Sequence, residues 1–201
     1  MIRRRLPVIV IVDAEADPDY TFQGLSDLVR KARLDFKAEI TFLSELQLSG
    51  SLPQPDGGSL RLLPASVRRY FGDLTALRRG RWSDEPVPAP SGEPLKCYTI
   101  EVDRTRVSRA HAALAKVEYL DKHDHRDLSW LVYVKATLMG DEPEDICHYH
   151  SAHPEFPQET TIDQFFDESQ WESYRRLGLH IGHRVLTAEF FDHLHRLAAI
   201  S

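Results

Sequence analysis

Four acidic residues alternate with other residues directly after a short apolar segment. Residues 8–12 read Val-Ile-Val-Ile-Val, and the acidic residues that follow are Asp13, Glu15, Asp17 and Asp19. Carboxylate oxygens are the ligands that calcium and magnesium prefer, so this loop is a candidate cation site. The alternative is structural, because the glycine and distal glutamate of a calcium loop are missing and acidic residues stabilise a following helix N-terminus. We favour the structural interpretation and expect Asp13 and Asp17 to support a functional site at the end of the strand.

Histidines are concentrated in the last third of the chain. Spacings of three or four residues would bring some of them onto one helix face, as zinc ligands require. The residues concerned are Cys147, His148, His150, His153, His180, His183, His193 and His195. A structural zinc site needs four converging ligands, and histidines near helix ends are commonly solvated. We therefore predict no metal site and no cofactor.

The sequence contains neither a G-x-S-x-G nor a G-x-G-x-x-G motif. The first presents the nucleophilic serine of many ester hydrolases, and the second binds dinucleotides. We therefore predict no catalytic residue within this chain.

The apolar segment lacks polar alternation, which is typical of a strand buried on both faces. Thr21 is predicted to cap a helix that extends to Phe36, and residues 39–43 form a second candidate strand. This order predicts an α/β fold with a mixed sheet. A chain of 201 residues suits one domain. Its expected parts are a strand-helix-strand unit (1–47), a long surface excursion (48–95), strands with a hairpin (96–140) and a helical tail (141–201).

The second half contains a predicted hairpin, formed by residues 112–120 and 129–136 around a polar tip at 121–127. Residues 97–102 alternate like a further strand. Three helices are predicted to start at Asp141, Thr161 and Asp167, each with a glutamate or glutamine three residues later. The aromatic and apolar residues between 165 and 177 are expected to pack on the sheet.

Bulk properties exclude several functional classes. A net charge of -6 and a pI near 5.9 argue against a dedicated nucleic-acid surface. No stretch approaches the roughly 20 apolar residues of a membrane-spanning helix. Cys97 and Cys147 lack C-x-x-C spacing, which predicts reduced thiols and a cytoplasmic protein, with any membrane association arising from parts outside this chain.

Three segments resemble bacterial patatin-like phospholipases. Residues 8–20 (Val-Ile-Val-Ile-Val-Asp-Ala-Glu-Ala-Asp-Pro-Asp-Tyr) resemble the strand and acidic loop that follow the family's catalytic Asp-Gly motif. Residues 131–143 (Leu-Val-Tyr-Val-Lys-Ala-Thr-Leu-Met-Gly-Asp-Glu-Pro) are similar to its hairpin strand and Gly-Asp-Glu-Pro turn. The most specific match is residues 156–178, which begin Phe-Pro-Gln-Glu-Thr-Thr and end Tyr-Arg-Arg-Leu-Gly. The order is that of the family, and residues 48–109 match nothing.

The resemblance implies the C-terminal part of a patatin-like lipid acyl hydrolase that works by a serine-aspartate dyad. Both members of the dyad would lie upstream of residue 8, so the chain is expected to be inactive alone. Asp56-Gly57-Gly58 has the composition of the aspartate segment, but it follows the strand and lies near Pro53 and Pro55. We interpret it as a turn.

The resemblance also implies partners. These are the missing N-terminal half of the hydrolase, a lipid substrate once that half is present, and a second copy through an exposed strand edge. The alternative function is a non-enzymatic α/β interaction module, a remnant of such a hydrolase.

Overall fold

A four-stranded mixed sheet forms the centre of the computed structural model, which describes residues 1–78, 107–120, 128–160 and 165–200. The strands are β1 (Val8–Asp13), β2 (Ala38–Phe42), β3 (Ser51–Pro53), β4 (Ser59–Arg61), β5 (Ala112–Tyr119) and β6 (Leu128–Lys135). The helices are α1 (Gln23–Phe36), α2 (Glu45–Leu48), α3 (Ala65–Arg68), α4 (Glu144–Ala152), α5 (Glu168–Val185) and α6 (Ala188–Ala199). A short 3-10 helix, Ile2–Arg4, precedes β1.

The order of the strands in the sheet is β1-β6-β5-β2. β6 runs parallel to β1, with Val8 opposite Trp130 and Asp13 opposite Lys135. β5 is antiparallel to both β6 and β2. The predicted α/β fold, mixed sheet and hairpin are confirmed. The polar tip at 121–127 and the candidate strand at 97–102 lie outside the described residues.

Both faces of the sheet are covered, which explains why the central strands are apolar throughout. Helix α1 packs Leu25 and Ala32 on one face, where Leu131 and Tyr133 of β6 lie. Helices α5 and α6 cover the other face, where Trp130 and further β6 residues lie. Because side chains alternate along a strand, the two apolar clusters are interleaved residue by residue along β6.

Part of the stretch 48–95, which was expected to run over the surface, is buried in the core. Residues 51–61 form a small hairpin, in which Gly57 has a φ of 85° and the Asp56 carboxylate accepts a hydrogen bond from Gly58 N–H. The turn interpretation of the Asp-Gly-Gly triplet fits this geometry. After it, Leu63, Val67 and Leu77 are fully buried. This part of the stretch therefore joins the main core, while residues 79–106 lie outside the described residues.

The start of the helical tail differs from prediction. Asp167 caps α5, as predicted, by accepting a hydrogen bond from Gln170 N–H. Asp141 does not cap α4, which begins after Pro143 without a side-chain cap. The Asp141 carboxylate instead contacts Arg69 and His180. Residues 161–164, and with them the predicted cap at Thr161, lie outside the described residues.

The aromatic residues of the tail do not all pack on the sheet. Phe165, Phe166 and Trp171 are 93%, 49% and 59% exposed. The first two precede α5 and the third lies on its outer face. The inner face is made by Leu177 and by residues one and two turns later, Ile181 and Val185.

Two findings bear on the surroundings of the protein. Within the described residues, no helix combines the length and the apolar character needed to cross a membrane. The prediction of reduced thiols is wrong for Cys147, whose sulfur is part of a disulfide. The other cysteine of the chain, Cys97, lies outside the described residues.

Candidate functional site

A lysine side chain is buried where the parallel strands β1 and β6 end. Lys135 is the last residue of β6 and its side chain is 1% exposed. Its Nζ lies 3.2 Å from Oδ2 of Asp13, the last residue of β1, and 4.0 Å from Oδ2 of Asp17. Burying an ammonium group is costly unless carboxylates compensate its charge. The strand register, which places Asp13 opposite Lys135, supplies that compensation.

The loop after β1 is organised by the Asp17 carboxylate. Its Oδ1 accepts hydrogen bonds from Thr21 N–H and Thr21 Oγ1–H, and its Oδ2 accepts one from Phe22 N–H at 2.8 Å. Asp17 N–H in turn donates to Gln158 Oε1. The predicted capping role of Thr21 is therefore wrong. Phe22, which precedes α1 in the left-handed region, has no side-chain cap, and Asp17 satisfies the free N–H groups.

The pKa of Asp17 reflects these contacts. Burial would raise it, but the hydrogen bonds from Phe22 and Thr21 and the charge of Lys135 outweigh burial, so the pKa is lowered from its ordinary value of 3.8. Tyr133 donates a hydrogen bond to Asp13 Oδ2, and burial together with this contact raises the pKa of its hydroxyl. The Asp17 side chain beside Lys135 is therefore held as the carboxylate, and the Tyr133 hydroxyl keeps its proton and donates it to Asp13.

The alternative of a calcium or magnesium site in this loop is not supported. Asp13 and Asp17 face the lysine, whereas Glu15 and Asp19 are exposed. The Lys135 ammonium occupies the place where a cation would balance the carboxylates. Asp13 and Asp17 lie together at the strand end around a common partner, Lys135, which the sequence analysis did not single out, and their role in supporting a functional site stays a prediction.

A second polar cluster lies close to the first along the backbone. His111, directly before β5, accepts a hydrogen bond at its carbonyl oxygen from Lys135 N–H. Its ring lies near Asp141, Glu142 and His180, and ligand atoms of the four residues all lie within 4.8 Å of one another. Within the described ranges this is the one group of histidine and acidic side chains close enough to share a metal ion.

The pKa values in this cluster are set by burial and by hydrogen bonds and charges from the neighbouring residues. Burial lowers the pKa of His111 to about 3. The Asp141 pKa is lowered to about 2, because a hydrogen bond with His180 and nearby positive charge, including Arg69, outweigh burial. Burial raises the pKa of Glu142, whose carboxylate accepts hydrogen bonds from Met139 N–H and Gly140 N–H.

The histidines grouped by sequence spacing do not converge. Of that set, only His180 joins the cluster. His193 contacts the Arg61 carbonyl through Nε2, His195 contacts the Phe191 carbonyl through Nδ1, and His153 stacks on a tyrosine ring. His111, Asp141 and Glu142 were missed because they belong to different parts of the chain. The Gly-Asp-Glu-Pro turn at 140–143 was the available signal.

An apolar cavity of about 190 Å³ opens beside the loop that follows β1. It is lined by Ala14 of that loop, by Pro157 and Glu159, and by the aromatic side chains of Phe166, Trp171 and Tyr174. The exposed aromatic residues of the tail therefore border the same end of the sheet as Asp13.

Removing the lysine charge should destabilise the fold. We expect Lys135→Met to lower the free energy of unfolding by about 2–4 kcal/mol, because it leaves Asp13 and Asp17 partly buried without their cation. The double variant Lys135→Met/Asp13→Asn should recover part of this loss. Urea unfolding followed by circular dichroism measures both, with the exposed Lys31→Met as control. Equal stability of Lys135→Met and Lys31→Met would contradict the charge compensation.

The stabilisation by Asp17 should depend on pH. Because its pKa is lower in the folded state than the ordinary 3.8, its contribution is complete above the unfolded pKa and is lost as pH falls through the folded pKa. Asp17→Asn should therefore cost about 1–2 kcal/mol near neutral pH, and the difference from wild type should shrink below about pH 4. The exposed Asp19→Asn is the control in chemical unfolding. A difference that stays constant with pH would exclude this role.

Comparison of the chain with protein-family models, curated proteins and solved structures found no match. The functional interpretation therefore rests on the residues and on the geometry described above.

Proposed function

We propose that this chain is the C-terminal part of a patatin-like phospholipase or related lipid acyl hydrolase, whose nucleophilic serine and catalytic aspartate are supplied by another part of that enzyme. The proposal extends the resemblance of residues 8–20, 131–143 and 156–178. The observation that carries it is the position of β1. This strand has the composition of a central strand, yet among the described strands it lies at the edge of the sheet.

β1 is apolar on both faces. Val8 and Val10 pack against one apolar cluster, and Ile9 and Ile11 belong to the other. Within the described residues its only neighbour is β6, which runs parallel to it. Strands of this kind are ordinarily paired on both sides, and a free apolar edge is a template for pairing with another chain. A further strand from the hydrolase would complete the sheet here.

The end of β1 also has features that suit a site for a lipid ester. In open α/β sheets, ligands bind at the carboxyl ends of the strands. At this end Lys135 and Asp17 hold the loop in one conformation, and the cavity lined by Phe166 and Trp171 offers apolar surface to an acyl chain. In this proposal Asp13 and Asp17 position the loop beside the active site and do not take part in the chemistry.

The free edge should cause self-association of the isolated chain. We expect concentration-dependent dimers in size-exclusion chromatography with light scattering, and we expect Val12→Lys to weaken them because a charge on an edge strand opposes pairing. Val12 is 65% exposed on β1, and Leu34→Lys, at a 72% exposed position on α1, is the matched control. A wild-type chain that stays monomeric at high concentration, or equal effects of the two lysines, would contradict pairing through β1.

The hydrolase assignment is tested by activity. The chain alone should neither hydrolyse p-nitrophenyl butyrate or phospholipid vesicles nor react with a fluorophosphonate probe, because an ester hydrolase of this kind needs an activated serine. Co-expression with the polypeptide encoded immediately upstream should produce serine-dependent turnover. Labelling of a serine in the isolated chain would overturn the proposal. An upstream segment without a G-x-S-x-G motif would favour a non-enzymatic interaction module instead.

A further inference from the structure

One nitrogen of the buried His111 ring has no hydrogen-bond partner. His111 is 0% exposed, and its Nδ1 lies 2.8 Å from Thr137 Oγ1. The Thr137 hydroxyl donates its own hydrogen to the Ala110 carbonyl at 3.0 Å, so its oxygen accepts from His111. Nδ1 therefore carries the proton, and Nε2 carries the lone pair. Nε2 is buried and unpartnered, which is the arrangement of a histidine ligand whose other nitrogen is fixed by a hydrogen bond.

Two carboxylates next to this ring are held in place by separate contacts. Asp141 Oδ2 accepts a hydrogen bond from Arg69 at 2.8 Å, which leaves Oδ1 on the side of His180. Glu142 is fully buried, and its two oxygens accept from Met139 N–H and Gly140 N–H at 2.7 and 2.8 Å. Gly140 has a φ of 91°, so the turn that presents these N–H groups favours glycine. A carboxylate offers about four lone-pair sites, so a carboxylate that accepts hydrogen bonds can also bind a cation.

His180 completes the group from helix α5. Its Nε2 lies 3.3 Å from Asp141 Oδ1, and its ring meets the His111 ring edge to face. A separation of this size suits a hydrogen bond, and it equally suits two ligands of one metal ion. Zinc bonds of about 2.0–2.2 Å place neighbouring ligand atoms about 3–4 Å apart. The four donors, all within 4.8 Å of one another, need only a small inward movement to reach that geometry.

We propose that His111, Asp141, Glu142 and His180 bind one divalent transition-metal ion, for which Zn²⁺ is the natural probe. Two imidazoles with two carboxylates suit zinc and its first-row neighbours, whereas calcium and magnesium prefer oxygen ligands alone. The two carboxylates balance the charge of the ion. To bind the metal, His180 exchanges its hydrogen bond with Asp141 for the ion, with its ring proton on Nδ1 and the lone pair of Nε2 directed at the metal. The site does not depend on the hydrolase assignment.

The expected role of the ion is to tie three parts of the fold together. His111 lies at the start of β5, Asp141 and Glu142 lie in the turn before α4, and His180 lies in the middle of α5. The ion would therefore fix the helical tail against the end of the sheet that also carries Lys135. Binding to the folded chain alone should raise the temperature of unfolding.

The test uses the full chain, stripped with EDTA and then dialysed against Zn²⁺. Plasma mass spectrometry should find one zinc ion per chain, and the stripped protein loaded with Co²⁺ should show visible absorption bands of a nitrogen- and oxygen-ligated ion. Excess Mg²⁺ should not displace the zinc. Zinc content no higher than the buffer blank would overturn the proposal and leave a buried water as the partner of His111 Nε2.

Matched variants separate this site from other histidines. His180→Gln should weaken zinc binding by at least about 100-fold in competition with a chromophoric chelator, because it removes a ligand. His183→Gln, on the exposed side of the same helix, should retain wild-type affinity. Equal zinc affinity of the two variants would overturn the proposal.

Thr137→Val provides a test that keeps all four ligands. The variant removes the group that accepts from His111 Nδ1, so it should weaken zinc binding by about 10- to 100-fold while the Co²⁺ spectrum returns at saturation. Far-ultraviolet circular dichroism checks that each variant is folded. If His180→Gln does not fold, the zinc affinity of Thr137→Val tests the proposal instead. A wild-type zinc affinity in that variant would contradict the proposal.

Discussion

The antiparallel pairing of β5 with β6 places Lys135 beside His111, the two residues around which the polar clusters of the described residues form. Ala112 lies opposite Val134, and Lys135 N–H donates to the His111 carbonyl oxygen just beyond that pair. The end of β6 and the start of β5 therefore lie side by side at the same end of the sheet. A shift of one residue would move Trp130 and Tyr133 to the opposite faces and separate Lys135 from Asp13, so the packing on both faces and the buried ion pair hold the register.

That register brings two polar clusters to the same end of the sheet, where β6 ends and β5 begins. Through the parallel pairing of β6 with β1, Lys135 meets Asp13, and the neighbouring Asp17 contributes a second carboxylate. Through the start of β5, His111 meets the turn before α4 and the middle of α5. A protein interior tolerates such groups only when their charges and hydrogen bonds are compensated. Two carboxylates compensate Lys135, whereas the buried His111 ring keeps one nitrogen without a partner, and the presence of both groups distinguishes this end of the sheet.

The surface of the molecule points to the same region. Within the described residues β1 has a neighbouring strand on one side alone, and the exposed rings of Phe166 and Trp171 line, together with Ala14 and Glu159, the cavity beside the loop that follows β1. Apolar surface of this kind is a common feature of contact sites. Under the proposed function, a further strand of the hydrolase would pair with β1, and the cavity would receive the acyl chain of the substrate.

Individual strands and helices could be predicted from the amino-acid sequence where their signal is local. The unbroken apolar character of residues 8–12 predicted β1, the apolar segments on either side of a polar tip predicted the hairpin of β5 and β6, and the cap at Asp167 predicted the start of α5, because burial patterns and capping depend on neighbouring residues. The contacts that form the two polar clusters depend on the three-dimensional fold. Only folding assigns Asp17 to the N–H groups before α1, turns Asp141 away from its predicted cap towards His180, and joins His111 to residues far along the chain. These contacts arise from strand register and helix packing, which no short sequence window contains.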